Sequence, residues 1–148
     1  MTLFELLNES VLSVTDHLKN YSKYFTKFYN ATNGIIEDSL FRVLITDKLE
    51  IDFEYGGKID NKQDCKKLEE NLKSEFKNNN LKKCKCFVGS NNYLVCAVTL
   101  KCDNEIRKNK LFFKIANAKL NLFKADSDDK FIILTNEQQV RNLIKFLD

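Results

Sequence analysis

Leu40–Tyr55, LFRVLITDKLEIDFEY, is two alternating runs around a polar break. Phe41, Val43 and Ile45 share one parity, with Leu40, Arg42 and Leu44 on the other. Beyond Thr46-Asp47-Lys48, Leu49, Ile51, Phe53 and Tyr55 alternate with Glu50, Asp52 and Glu54. A period of two is that of a strand with one buried face, so the pattern predicts an antiparallel hairpin. A three-residue loop would pair Ile45 with Leu49, Val43 with Ile51 and Phe41 with Phe53, gathering the apolar side chains on one face. A slip of one residue would set them against carboxylates. Gly56-Gly57 is expected to end the second strand.

A second hairpin follows from Leu81–Val88 and Tyr93–Cys102, joined by Gly89-Ser90-Asn91-Asn92. Pairing Cys86 with Cys96 places Cys84, Cys86, Val88, Leu94, Cys96, Val98 and Leu100 on one face, and Lys83 and Lys85 on the other. Between the hairpins, Cys65, Leu68, Leu72 and Phe76 form a narrow stripe at helical spacing within residues 60–77, the pattern of a surface helix lying on a sheet. Asn78-Asn79-Asn80 should stop it.

Toward the N-terminus, Phe4, Leu7, Val11, Val14, Leu18, Tyr21, Phe25 and Phe28 recur at three- and four-residue steps. They predict a long helix, with Thr2 and Glu5 at capping-box spacing and Asn33-Gly34 closing it. Ser, Thr and Asp at residues 13–16 offer a break, which leaves one helix and two both open. Toward the C-terminus, Leu111, Phe113 and Ile115 begin an extended region whose parity changes at Asn117, as a bulge or turn would require. Phe131–Leu134 reads as a short buried strand. Thr135 and Gln138 have capping-box spacing before a last helix faced by Val140, Leu143, Ile144 and Leu147.

Helices that fall between hairpins, rather than alternating with single strands, point to an α+β fold. The expected architecture is a largely antiparallel sheet of five to six strands built from hairpins, with a long N-terminal helix, a central surface helix and a C-terminal helix. The length, 148 residues, suits one domain, with a sheet-based core at 40–148 and an N-terminal helical segment at 1–33 that could protrude. Hydrophobic residues at 43% and charged residues at 30% fit a globular chain with no transmembrane segment. Abundant Lys, Asn and Phe with four Gly and no Pro suggest AT-rich coding, as in some viruses and intracellular microbes.

Candidates for chemistry are few. Cys65, Cys84, Cys86, Cys96 and Cys102 lack the tight-turn spacing of a zinc site, and strand alternation already accounts for most of them as small core residues. A Cys86–Cys96 disulfide is conceivable across the strand pair, but a reducing compartment would leave it open. His17, the sole histidine, is expected at the solvent or at a cap. Asp52 and Glu54 lie about 7 Å apart on one strand face, read as solvated. The acidic loop at Asp126, Asp128 and Asp129 lacks the glycine and distal glutamate of an EF-hand. Phosphate-binding glycine motifs are absent from the sequence. No catalytic residue, metal ligand or cofactor is therefore assigned.

Residues 19–29, KNYSKYFTKFY, interleave lysines with aromatics, which separate on a helix into a lysine row and an aromatic row. The first expectation is a non-enzymatic protein–protein interaction module in the cytoplasm, of a host cell if viral, binding a protein partner or a second copy through Tyr21, Tyr24, Phe25 and Phe28. The alternative is a nucleic-acid-binding factor using Lys19, Lys23, Lys27, Lys82, Lys83 and Lys85. An enzyme with an unfamiliar active site stands third.

Overall fold

The computed structural model describes residues 11–32, 40–46, 50–59, 65–89, 91–103, 123–125 and 131–147. Chain order is α1 (Val14–Lys19), α2 (Tyr21–Ala31), β1 (Leu40–Thr46), β2 (Glu50–Lys58), α3 (Cys65–Phe76), β3 (Leu81–Val88), β4 (Tyr93–Lys101), β5 (Phe123–Ala125), β6 (Phe131–Leu134) and α4 (Glu137–Leu147). The fold is α+β. The strands form one antiparallel sheet in the order β3-β4-β2-β1-β6-β5. No helix among the described residues is long and apolar enough to cross a membrane.

The inner face of the sheet is the core. Val43, Ile45, Ile51, Phe53, Tyr55, Leu94, Cys96, Val98, Leu100, Ile132 and Leu134 are fully buried there, in one cluster with residues of all four described helices. Tyr24 meets Phe53 edge-on at 4.8 Å between ring centres, and Phe28 stacks on Tyr55 at 5.7 Å. Phe76 of α3 closes on both helix aromatics, 5.4 Å from Tyr24 and 5.2 Å from Phe28. Offset and edge-to-face contacts of this kind add to the burial energy of each ring.

The first hairpin keeps its expected face but not its expected register. Ile45 opposes Ile51, Val43 opposes Phe53 and Phe41 opposes Tyr55, a shift of two residues from the three-residue loop. A two-residue shift leaves every apolar side chain inward, so alternation cannot distinguish the two registers. The observed one sets Arg42 opposite Glu54, with which it forms an ion pair at 2.8 Å. The second hairpin has Cys86 opposite Cys96, the pairing read from its alternation.

Gly56-Gly57 does not end β2, which runs on to Lys58 against Tyr93. A Cβ at Gly56 would come within 2.9 Å of the Leu94 carbonyl oxygen and 3.1 Å of the Tyr93 ring. The glycine is there for close approach, not as a terminator.

The long N-terminal helix is also corrected, because residues 14–31 form two helices. Ser13 caps α1, its Oγ accepting from the Asp16 amide at 3.1 Å, within the break foreseen at residues 13–16. Asn20, at φ −91° and ψ 14°, lies in the bridge region and separates α1 from α2. Residues 11–32 are fastened to the sheet: the Leu12 amide donates to Asn80 Oδ1 at 2.9 Å, and the Leu12 carbonyl accepts from the Asp103 amide at 2.7 Å.

The last helix starts one residue later than its expected box. Asn136, not Thr135, is the cap, with Oδ1 accepting from the Gln139 amide at 2.9 Å, while Gln139 Oε1 accepts from the Thr135 amide at 2.8 Å. The Thr2–Glu5 box, Asn33-Gly34, the parity change at Asn117 and the loop at residues 126–129 lie outside the described residues.

Candidate interaction surface

The outer face of the sheet carries the side chains that the core does not take. Three cross-strand rows follow from the register: Phe87, Val95, Gly56 and Leu40; Lys85, Ala97, Glu54 and Arg42; and Lys83, Thr99, Asp52, Leu44 and Ile133. In the first row, Phe87 is 60% exposed and Leu40 38%, while Tyr93 reaches across Gly56 between them. This makes an apolar shelf with an aromatic edge. Lys83 and Lys85, also exposed, continue the line of Phe87 along β3, with about 7 Å between successive outward side chains.

Across the middle of this face the charges are partly matched. Arg42 pairs with Glu54, and Lys82 with Glu50 across the β3 bulge. Asp52 is half-buried, and its Oδ1 has no hydrogen-bond partner among the described residues. Burial raises its carboxyl above the usual range, against the pull of the Thr99 hydrogen bond. Asp52 and Glu54 are therefore not the fully solvated pair expected, since neighbouring strands flank both. Among the described residues, no group of three His, Cys, Asp or Glu side chains is disposed to hold a metal.

The helix aromatics proposed for partner contact sit elsewhere. Tyr24 and Phe28 are fully buried, and Tyr21 and Phe25 pack half-buried against the core, within 4.9 Å and 5.4 Å of the Phe41 ring. Tyr29 is the aromatic that α2 leaves exposed. Nor do the six lysines meet. Lys27 donates to the Glu75 carbonyl at 2.6 Å and lies over the Phe76 ring, tying α2 to α3. Lys19 and Lys23 are on the helix layer, across the sheet from Lys83 and Lys85, and Lys82 is engaged by Glu50.

His17 is a core residue, not a solvent-facing one. Its Nε2 lies 2.9 Å from the Lys101 carbonyl, which can only accept, so Nε2 carries the proton and Nδ1 accepts from the Tyr24 hydroxyl at 2.8 Å. The ring is fully buried, and burial lowers its pKa against the opposing pull of that carbonyl and of Asp16. Burial likewise pushes the Tyr24 hydroxyl up to about 12, with Asn20 acting against it. Both imidazole nitrogens are occupied in joining α1, α2 and β4. Nothing in this arrangement holds His17 ready for proton transfer to a ligand.

Sequence reasoning passed over Phe87, Tyr93 and Leu40. A signal for Phe87 existed: in Lys83-Cys84-Lys85-Cys86-Phe87 the phenylalanine stands on the lysine parity, not the cysteine parity. An aromatic on the solvent side of an alternating strand has no core to fill. Compared with known proteins, the chain matches no family model, no curated protein and no solved structure.

Proposed function

We propose that this protein is a non-enzymatic protein–protein interaction module whose contact surface is the outer face of the sheet at the β3–β4 end. The observation that carries the reading is the shelf of Phe87, Val95, Tyr93 and Leu40, with Phe87 60% exposed at its rim. Aromatic side chains at the centre of a contact supply most of the binding energy, and flanking charges set orientation. The partner is a protein or a second copy of the chain, met in the cytoplasm of a virus-infected cell or of an intracellular microbe with an AT-rich genome. The half-buried Tyr21 and Phe25 serve the core in this reading, and the contact role given to them passes to Phe87.

The test begins with the purified chain. Its solution mass is measured across a concentration series beside Phe87→Asp, with circular dichroism confirming that the variant is folded. Self-association that Phe87→Asp abolishes supports the reading with a second copy as partner, and self-association that persists unchanged contradicts it. A wild-type chain that stays monomeric directs the reading to a different protein, tested by photo-crosslinking from position 87.

A second reading is supported by the line of Lys83, Lys85 and Phe87 on one exposed strand edge. Lysines spaced along a strand beside an aromatic ring suit single-stranded nucleic acid, the bases stacking and the lysines meeting phosphates. Affinity would then fall steeply with salt and would drop in Phe87→Ala. No shift of a single-stranded probe at low salt removes this reading.

A further inference from the structure

Cys84, Cys86 and Cys96 bring three thiols together on the inner face of the β3–β4 hairpin, beneath α3. Cys86 Sγ lies 3.0 Å from Cys96 Sγ, and both are reduced. The geometry of this pair follows from the hairpin closure. Gly89 donates its amide to the Tyr93 carbonyl at 2.9 Å, so Gly89 and Tyr93 are a hydrogen-bonded pair. Counting back along the ladder, Phe87–Val95 and Lys85–Ala97 are hydrogen-bonded pairs, while Val88–Leu94, Cys86–Cys96 and Cys84–Val98 are not.

An independent observation agrees. The Cys86 amide points away from β4, off the sheet edge, where it donates to Glu69 Oε1 at 2.8 Å. In a non-hydrogen-bonded antiparallel pair the Cα atoms are about 4.5 Å apart, inside the range of about 4.4–6.8 Å that a disulfide spans. Cys84 faces Val98, and its diagonal distance to Cys96, about 7–8 Å for such neighbours, falls outside that range.

We propose that Cys86 and Cys96 are a redox-active dithiol that closes to a cross-strand disulfide by exchange with a low-molecular-weight disulfide such as glutathione disulfide, stapling edge strand β3 to β4. Cys86 gives its proton to solvent, and its thiolate attacks one sulfur of the small disulfide. That S–S bond breaks, one thiolate leaves, and a mixed disulfide remains on Cys86. Cys96 then loses its proton and attacks the Cys86 sulfur, expelling the second thiolate. Both leaving groups take up protons. The protein dithiol has lost two electrons, and the small disulfide has become two thiols.

Cys86 goes first because it lies on the edge strand and is 8% exposed, whereas Cys96 is fully buried. The hydrogen bond with Cys84 pulls the Cys86 thiol down, but the contact with Cys96 and burial together outweigh it and raise the thiol. Exchange in the folded state is therefore slow, and the bond closes during folding or when β3 opens from the edge. The inference is independent of what the outer face binds, although the stapled strand is the one that carries Lys83, Lys85 and Phe87.

The test refolds the full chain in a glutathione redox buffer, which removes the barrier of burial, then traps free thiols by alkylation. Expected is one disulfide per chain, seen as the loss of two hydrogens in intact mass and as a peptide linking Cys86 to Cys96. A second variant guards against misfolding: Cys84→Ala keeps the bond, while Cys96→Val loses it with unchanged circular dichroism. The oxidised chain should melt roughly 5–10 °C above the reduced one, as expected for a short closed loop in a domain of this size. Five alkylated thiols after oxidative refolding would overturn the proposal, as would a bond that maps to Cys65, Cys84 or Cys102.

Discussion

The two faces of the β3–β4 hairpin are built from the same nine-residue strand and its eight-residue partner, yet they follow different rules. Inward, Cys84, Cys86, Leu94, Cys96, Val98 and Leu100 are small or branched residues packed under α3 and the aromatic cluster of α2. Outward, Lys83, Lys85 and Phe87 stand exposed beside half-buried Tyr93, Val95 and Ala97. An inner-face residue is fixed by neighbours on every side, so its replacement is felt as lost packing. An exposed outer-face side chain such as Phe87 has no such enclosure, unlike Gly56 and Thr99, which neighbouring strands bury on the same face. In the proposed reading, association falls to the exposed side chains of the outer face, while most of the packing lies on the inner face.

The largest effect expected is on the inner face. Phe53, fully buried against Tyr24, should cost about 3–5 kcal/mol as Phe53→Ala, whereas Phe87→Ala should change stability by no more than about 0.5 kcal/mol. Urea denaturation of both variants checks the contrast, and equal losses would erase the distinction between the faces. Next is Gly56, where the outer face is tightest. Gly56→Ala should destabilise by roughly 1–3 kcal/mol, because the Leu94 carbonyl is backbone and cannot swing aside. A neutral result would mean that the Tyr93 shelf is looser than its contacts imply.

The helix layer adds a dependence on pH. His17 has a folded pKa below its ordinary 6.5, so the unfolded chain binds the proton more readily. Its contribution is fully present above 6.5 and is lost as pH falls from there toward the folded pKa. The slope from this one group is at most about 1.4 kcal/mol per pH unit. Urea midpoints across that window should show the decline, and His17→Gln should remove this component of the slope. A His17→Gln profile parallel to wild type would contradict the buried neutral ring. Smallest is the outer-face ion pair: Arg42→Met should cost only about 0.2–1 kcal/mol, and less in high salt, because Arg42 remains partly exposed.

Much of this architecture was legible because alternation and helical spacing report burial directly. The Cys86–Cys96 register, the stripe of α3 and the strand at Phe131–Leu134 follow from which side chains need covering. The first hairpin's register did not, since a shift of two residues preserves the inward face and sets Arg42 opposite a carboxylate in either case, Asp52 in the expected register and Glu54 in the observed one. His17 was misread although Val14, His17, Leu18 and Tyr21 share one helical face. A polar side chain on an apolar stripe looks like an exception until its partners, Tyr24 and the distant Lys101 carbonyl, come together. The aromatic stripe of α2 was correctly seen as apolar, but apolar spacing alone cannot say whether its cover is the same chain or another. Here Phe53, Tyr55 and Phe76 cover Tyr24 and Phe28.

Tyr29 and Phe87 are exposed aromatics on the helix layer and on the outer sheet face, at 39% and 60%. Placing a photo-crosslinking phenylalanine analogue at each position in turn, in the full chain in its native cell, compares the two surfaces directly. The outer-face account predicts a discrete crosslinked product, to a protein or to a second copy, from position 87 that Lys85→Glu weakens, and none from position 29. Equal yields from both positions, or a product from position 29 alone, would contradict it.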